Sequence, residues 1–296
     1  MKFKGHETFF IRKGWLSKGM RNIVRNPILF VDKELNPMDE LGLGSNMVKS
    51  LRYWLQVTGL TEEKIIDKKR HQILTDFGKT VFERDLFLEE VGTLQLIQYK
   101  LACNKDDASA WYYFFNKFNM LEFSREDFIV EVNKCLSEEN EMLPAQSSIG
   151  DDFTCIINTY LPRYKTQNKE TDPENNIDCP LGELGLIDIV NKKNGIYTYK
   201  KSAPLISTFN PWIILAIIND NANGNTEIKL NDLLIGEKNI GKTFNLDSVT
   251  MLEVLHEVEK KGIIKIIRTS GLDVIQIKKS YSFLECTRKY YEEIAS

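Results

Sequence analysis

The sequence has little that would tie it to a membrane, a secretory route or a resident metal. Its longest apolar run, residues 212–218, is seven residues long, against the roughly 20 needed to cross a bilayer. Lys2, Lys4 and His6 open the chain with no apolar stretch behind them, so no secretory leader is expected. The five cysteines (Cys103, Cys135, Cys155, Cys179, Cys286) are odd in number, and no two lie close together. That excludes a disulfide framework and a CxxC zinc site, and it predicts buried thiols in a reducing compartment. Three scattered histidines give no HExxH pair. Neither a PD-(D/E)xK nor an HNH nuclease signature is present. These absences point to a cytoplasmic protein.

What remains is an ordinary globular composition: 296 residues, 42% hydrophobic and 27% charged. Such a length suits two or three modules of roughly 100 residues each. The formal net charge of −3 hides an asymmetry. Residues 1–31 hold seven basic side chains against one acid, Glu7, whereas residues 86–150 hold five basic and eleven acidic ones. A cationic front beside an acidic body fits a local polyanion footprint, because each neutralised phosphate releases counterions. A solubilising basic helix fits the same counts.

The pattern along the chain predicts a mostly α fold with small β wings (α+β). An amphipathic helix carries Trp15, Leu16, Met20, Ile23 and Val24 and ends at Asn26-Pro27. After Gly42 and Gly44, Ser45 is expected to cap a helix over residues 46–57 that exposes Lys49 and Arg52, with Gly59 stopping it. Two short strands, 60–64 and 72–75, flank a basic tip at Asp67-Lys68-Lys69-Arg70. Helix, turn, helix and basic hairpin is the order of a winged helix, which docks its second helix in the major groove and lays the hairpin along phosphates. Residues 1–85 are therefore expected to form a basic arm plus a winged-helix domain. Residues 86–164 read as a helical, aromatic-rich acidic domain, with Ser124 and Asp127 as a capping pair. Residues 165–180, polar and almost without apolar side chains, read as a linker. Residues 181–296 repeat a winged-helix-like order, with Asp247 capping a helix over 248–261. Its Glu253, Glu257 and Glu259 suit a structural or partner-binding role better than DNA contact.

Gly236 to Thr243 matches the phosphate-loop pattern GxxxxGK[ST] residue for residue. Its context does not. Residues 230–235 lack the β-branched run of a buried strand, and the next helix opens about five residues late. A turn within the second module explains the glycines, and no nucleotide is expected.

Gly5-His6-Glu7-Thr8-Phe9, followed by Arg12, Trp15-Leu16 and Lys18-Gly19, is dense in reactive groups. His6 could act as a general acid or base, Glu7 could hold a metal or orient the imidazole, and Arg12 and Lys18 could bind phosphate. A polar network tying the arm to the first domain is the alternative. These residues, with LGLGSNMVKSLRYW (41–54), GTLQLIQYKLA and WYYFFNKF (within 92–118) and DCPLGELGLI (178–187), resemble a bacterial family of unknown-function domains. That family is encoded with DNA-phosphorothioation and related phage-defence systems and includes the SspB-type proteins. Phe10 stands where the family pattern has proline.

The resemblance implies a DNA-associated defence component. SspB-type members are regarded as DNA-nicking enzymes that work with a cysteine desulfurase, an ATPase and an adenylating sulfur-transfer enzyme. Three readings stay open. One is a nickase with His6 and Glu7 near the scissile phosphate and Mg²⁺ or Mn²⁺ as cofactor. Another is a non-catalytic adaptor on double-stranded DNA. The last is a scaffold for other defence proteins. The expected DNA contacts are Arg12, Lys13, Lys18, Lys49, Arg52, Lys68, Lys69 and Arg70.

Overall fold

The computed structural model describes residues 1–32, 34–162, 178–269 and 272–296. Most of the expected linker at 165–180 falls outside these residues. The protein is a mixed α+β fold in which helices predominate and small antiparallel sheets fill the remainder. Among the described residues, no helix is long and apolar enough to cross a membrane.

The first elements are helix α1 (Trp15–Arg25), the single-turn α2 (Pro37–Leu41), α3 (Ser45–Val57), strands β1 (Thr61–Ile66) and β2 (Lys69–Leu74), and α4 (Asp76–Arg84). Helix α1 buries Trp15, Leu16, Met20 and Ile23 but leaves Val24 exposed. It stops at Asn26, which is extended ahead of proline. Gly44, not Ser45, is the N-cap of α3, and no side chain caps that helix. Gly59 follows it in the left-handed region at φ 73°. The β1–β2 register pairs Ile66 with Lys69 across a two-residue turn. Asp67 and Lys68 both have positive φ, the signature of a type I′ hairpin turn. Thr75 caps α4 by accepting the Gly78 amide at 2.9 Å. Gly78 is obligatory here, since a Cβ would lie 1.9 Å from the Leu60 carbonyl oxygen.

The middle of the chain supplies α5 (Val91–Cys103), α6 (Ser109–Tyr112) running into a π-helical turn (Tyr113–Lys117), the two-residue strand β3 (Glu122–Phe123), α7 (Arg125–Glu138) and α8 (Gln146–Tyr160). Both arms of the Ser124–Asp127 capping box form. Phe114, Phe118, Phe123 and Phe128 pack edge to face or tilted, with centroids 5.2 to 5.9 Å apart, geometry that adds to their burial. The aromatic stretch is core.

The last part contains β4 (Ile187–Lys193), β5 (Ile196–Lys201), α9 (Pro211–Asn221), β6 (Glu227–Lys229), α10 (Leu230–Ile235), α11 (Ile240–Thr243), α12 (Ser248–Lys260), β7 (Ile264–Thr269), β8 (Leu272–Ile277) and α13 (Phe283–Ile294). Two three-stranded sheets form, ordered β3-β5-β4 and β6-β8-β7. Strand β3 thus ties the middle of the chain to the segment beyond residue 180. Helix α9, buried from Ile213 through Ile218, is the apolar run of the sequence. Tyr290 and Tyr291 of α13 reach back to α5, where their hydroxyls meet the Gly92 amide at 3.1 Å and Thr93 Oγ1 at 2.6 Å. One continuous core runs through all these elements. The segment matching the phosphate-loop pattern is the turn from α10 into α11: a helix precedes it, and Thr243 is buried.

Candidate nucleic-acid interface

The N-terminal arm is laid down by contacts from three helices. Ser109 Oγ accepts the Lys2 amide at 2.8 Å, and the Trp54 indole donates to the Phe9 carbonyl at 2.9 Å. The Lys4 amide donates to both Asp152 carboxylate oxygens, each at 3.0 Å. Gly5 lets the arm cross Tyr53, because a Cβ there would lie 2.4 Å from the ring.

The chain then folds His6 inward, with no exposure to solvent. Its Nε2 lies 2.7 Å from Asp152 Oδ1, while Nδ1 accepts the Thr8 amide at 3.1 Å. With Nδ1 occupied, the ring proton sits on Nε2 and points at the carboxylate. The imidazole stacks on Trp54 at 6.0 Å and meets the edge of Trp111 at 5.8 Å. Burial raises the Asp152 carboxyl above its usual range, and the His6 contact opposes that rise. Both ring nitrogens are spent inside the protein, so His6 faces no cleft.

Lys4, Glu7 and Thr8 all have positive φ, a costly conformation for side-chain-bearing residues. The resulting turn points Glu7 away from His6 and into a cleft of about 400 Å³. Lys2, Lys4, Lys49, Arg52 and Arg70 share that cleft with Glu7 and Glu63. The arm, α3 and the hairpin each supply part of it. Two of the five cations are engaged. Lys4 pairs with Asp151 at 2.7 Å, and Arg52 donates Nε to Glu63 at 2.6 Å, an oxygen that Gln56 also contacts at 2.8 Å. Lys2 lies over the Tyr53 ring, Lys49 contacts Asn46, and Arg70 is exposed; among the described residues none of these three forms an ion pair.

Of the residues singled out by sequence, then, the cleft unites Glu7, Lys49, Arg52 and Arg70. Lys68 and Lys69 sit on the exposed hairpin tip beyond it. Arg12 and Lys13 line a different, smaller cleft of about 120 Å³ with Glu89 and Glu183, and the Arg12 guanidinium lies 5.4 Å above Trp15. Lys18 donates to the Leu41 carbonyl at 3.0 Å. Sequence reasoning counted Lys2 and Lys4 in the charge of the arm but did not single them out. It also missed Glu63 as the neutraliser of Arg52; the β1–β2 hairpin that folds beside α3 was the available signal.

No group of three His, Cys, Asp or Glu side chains is placed to hold a metal among the described residues. Within the cleft Glu63 is committed to Arg52 and Gln56, which leaves Glu7 alone. These residues do not fit a resident Mg²⁺ or Mn²⁺ held by the protein itself.

A basic concave site sits on a mostly helical α+β scaffold. The chain belongs to the DUF4007 family of proteins of unknown function, which matches residues 3–291. Its fold is similar to that of SspB, in a magnesium ion-bound crystal structure (TM-score 0.85) and in a second crystal structure (TM-score 0.84). In both cases identity is 23%, with 100% of this chain and 89% of the other covered. No curated protein matches the chain.

Proposed function

We propose that this protein is a DNA-binding component of a phosphorothioation-linked phage-defence system, acting in the cytoplasm on double-stranded DNA beside other proteins of that system. Helices α1 to α3 and the β1–β2 hairpin serve as its winged helix, with α3 offered to the groove and the hairpin laid along the backbone. One observation carries this reading: Lys2, Lys49 and Arg70 converge on one concave surface, and none of them forms an ion pair among the described residues. Phosphates are the counterions that such a surface lacks. The family membership and the likeness to SspB support placing it in such a system.

Fluorescence anisotropy on a short duplex across a salt series tests this. Each phosphate contact contributes about 0.9 to the slope of log K against log salt. Lys49→Ala with Arg70→Ala is expected to lower that slope by about two and to weaken binding at every sequence tested. An unchanged slope removes the cleft from the interface.

DNA nicking at the same cleft is the second reading, favoured by Glu7, which makes no ion pair among the described residues and sits among the cations. His6 then serves as a positioning residue that fixes the turn carrying Glu7. Supercoiled plasmid with Mg²⁺ or Mn²⁺ should yield open circles that vanish in Glu7→Gln while duplex binding persists. Duplex binding with no open circles in the parent protein identifies a non-catalytic adaptor.

A further inference from the structure

A second cationic site, lined by no residue of the arm, lies in a cleft of about 440 Å³ between the π-helical turn after α6 and the α11–α12 connection. Its floor holds Lys201, the last residue of β5. The Lys201 ammonium donates to the carbonyl oxygens of Phe114 and, at 2.5 Å, of Phe118, and it lies 4.7 Å from the centre of the Phe114 ring. Lys242 opens onto the same cleft, held at 2.5 Å by Asn119 Oδ1. Gly241 sets it there: a Cβ at that position would lie 2.1 Å from the Leu234 carbonyl oxygen, so only glycine allows the tight turn.

Neither lysine forms an ion pair among the described residues. Other half-buried cations do: Lys100 with Asp220, Lys105 with Glu139, Lys117 with Glu237, Arg52 with Glu63. Asp247, the one acid in the lining, is turned to the α12 N-terminus, where it accepts the Thr250 amide at 2.7 Å. Burial, with a smaller contribution from Lys242, pulls the Lys201 ammonium down to about 7. A half-buried cation with no carboxylate partner among the described residues is costly, and such a group in a cleft is a candidate for a functional site. The missing component is an anion. Phe115, Phe118 and Leu246 add apolar walls large enough for the body of a small molecule.

We propose that this cleft binds a phosphate monoester, with Lys201 and Lys242 clamping the phosphoryl oxygens and the phenylalanines covering the attached group. The lysine of the phosphate-loop-like segment thus meets phosphate after all, but from a helix–turn–helix and not from a strand-borne loop. Two sources share this chemistry, a free nucleoside monophosphate and the phosphorylated end of a DNA strand. The site shares no residue with the basic cleft of the arm, so its test is separate from that of DNA binding.

Calorimetric titration of the full chain with inorganic phosphate and with adenosine 5′-monophosphate tests it, followed by matched oligonucleotides bearing a 5′-phosphate or a 5′-hydroxyl. Lys242→Gln and Lys201→Met are each expected to weaken monoester binding by about tenfold or more. Lys242 is partly exposed and its replacement leaves the core intact, so that variant remains informative if Lys201→Met folds poorly. Preference for the phosphorylated oligonucleotide identifies a strand end as the ligand, and equal treatment of the two with binding of the mononucleotide identifies a free nucleotide. Absence of monoester binding at millimolar concentration, or affinity unchanged in Lys242→Gln, overturns the proposal.

Discussion

The chain contains two stretches with nearly the same element order and opposite surface chemistry. Residues 15–74 run helix, short helix, helix, hairpin; residues 211–277 run helix, strand, two short helices, helix, hairpin. In the first, α3 offers Lys49 and the hairpin offers Lys68, Lys69 and Arg70, none of them in an ion pair among the described residues. In the second, the matching helix α12 is acidic, and Glu257, Glu259 and Lys260 are engaged within the protein. Glu259 accepts the Ile266 amide at 2.8 Å, Glu257 pairs with Lys260, and Lys261 reaches Glu293 of α13. The second hairpin also gains a third strand, β6, that the first lacks. The order of elements is a scaffold shared by both, while the two differ in which side chains are left without counterions among the described residues.

The sharpest way to break this comparison is to unpin the arm. Removing a buried acceptor leaves its donors unsatisfied and costs about 1–3 kcal/mol for each. Asp152→Ala leaves His6 and the Lys4 amide without their acceptor, so urea unfolding should show a loss of that order together with loss of duplex binding. Glu257→Ala, in the second module, should change stability by no more than about 0.5 kcal/mol.

Lys201 gives a pH signature. Its amine is lowered to about 7 in the folded protein from an ordinary value of 10.5. Between those values the unfolded chain binds the extra proton, so stability rises with pH across the window. Below about 7 the lysine is charged in both states and its contribution is least favourable. The difference in unfolding free energy between the parent protein and Lys201→Met should therefore vary with pH from 7 to 10, by at most about 1.4 kcal/mol per unit. A pH-independent difference shows that the ammonium stays charged on its carbonyl seat.

How much of this could be read from the sequence depends on how local the cause is. Ser124 with Asp127, and Asp247, act within three residues of themselves, and each caps the helix it was expected to cap; Thr75 caps α4 in the same local way. Gly59 and Gly262 stop α3 and α12 at positive φ for the same local reason. Lys49, Arg52 and Arg70 were legible because an exposed helix face and a hairpin tip are local too. His6 was not: its carboxylate partner lies 146 residues away, and no pattern near Gly5 announces burial. Strands β3 and β6 are too short and too half-exposed to show a period of two, and β3 pairs with a strand more than 70 residues on. The cleft at Lys201 is assembled from three separated segments, so neither its unpaired charge nor its aromatic walls could be seen in the order of residues.

The smallest effect compares the caps of the two modules. Thr75 Oγ1 accepts the Gly78 amide at 2.9 Å, and Asp247 accepts the Thr250 amide at 2.7 Å. Each substitution to alanine frees one amide and should cost about 1 kcal/mol. They differ in what else moves. Thr75 also donates to the Gly59 carbonyl at 2.6 Å, so its loss loosens the junction between α3 and the hairpin as well as the start of α4. Thr75→Ala should therefore weaken duplex binding slightly, by about twofold, in step with its loss of stability. Asp247→Ala should cost the same stability and leave duplex affinity unchanged, because α12 presents no free cation to DNA. Equal losses of affinity in the two variants would mean that the second module also touches the duplex, and the division of labour between the modules would have to be abandoned.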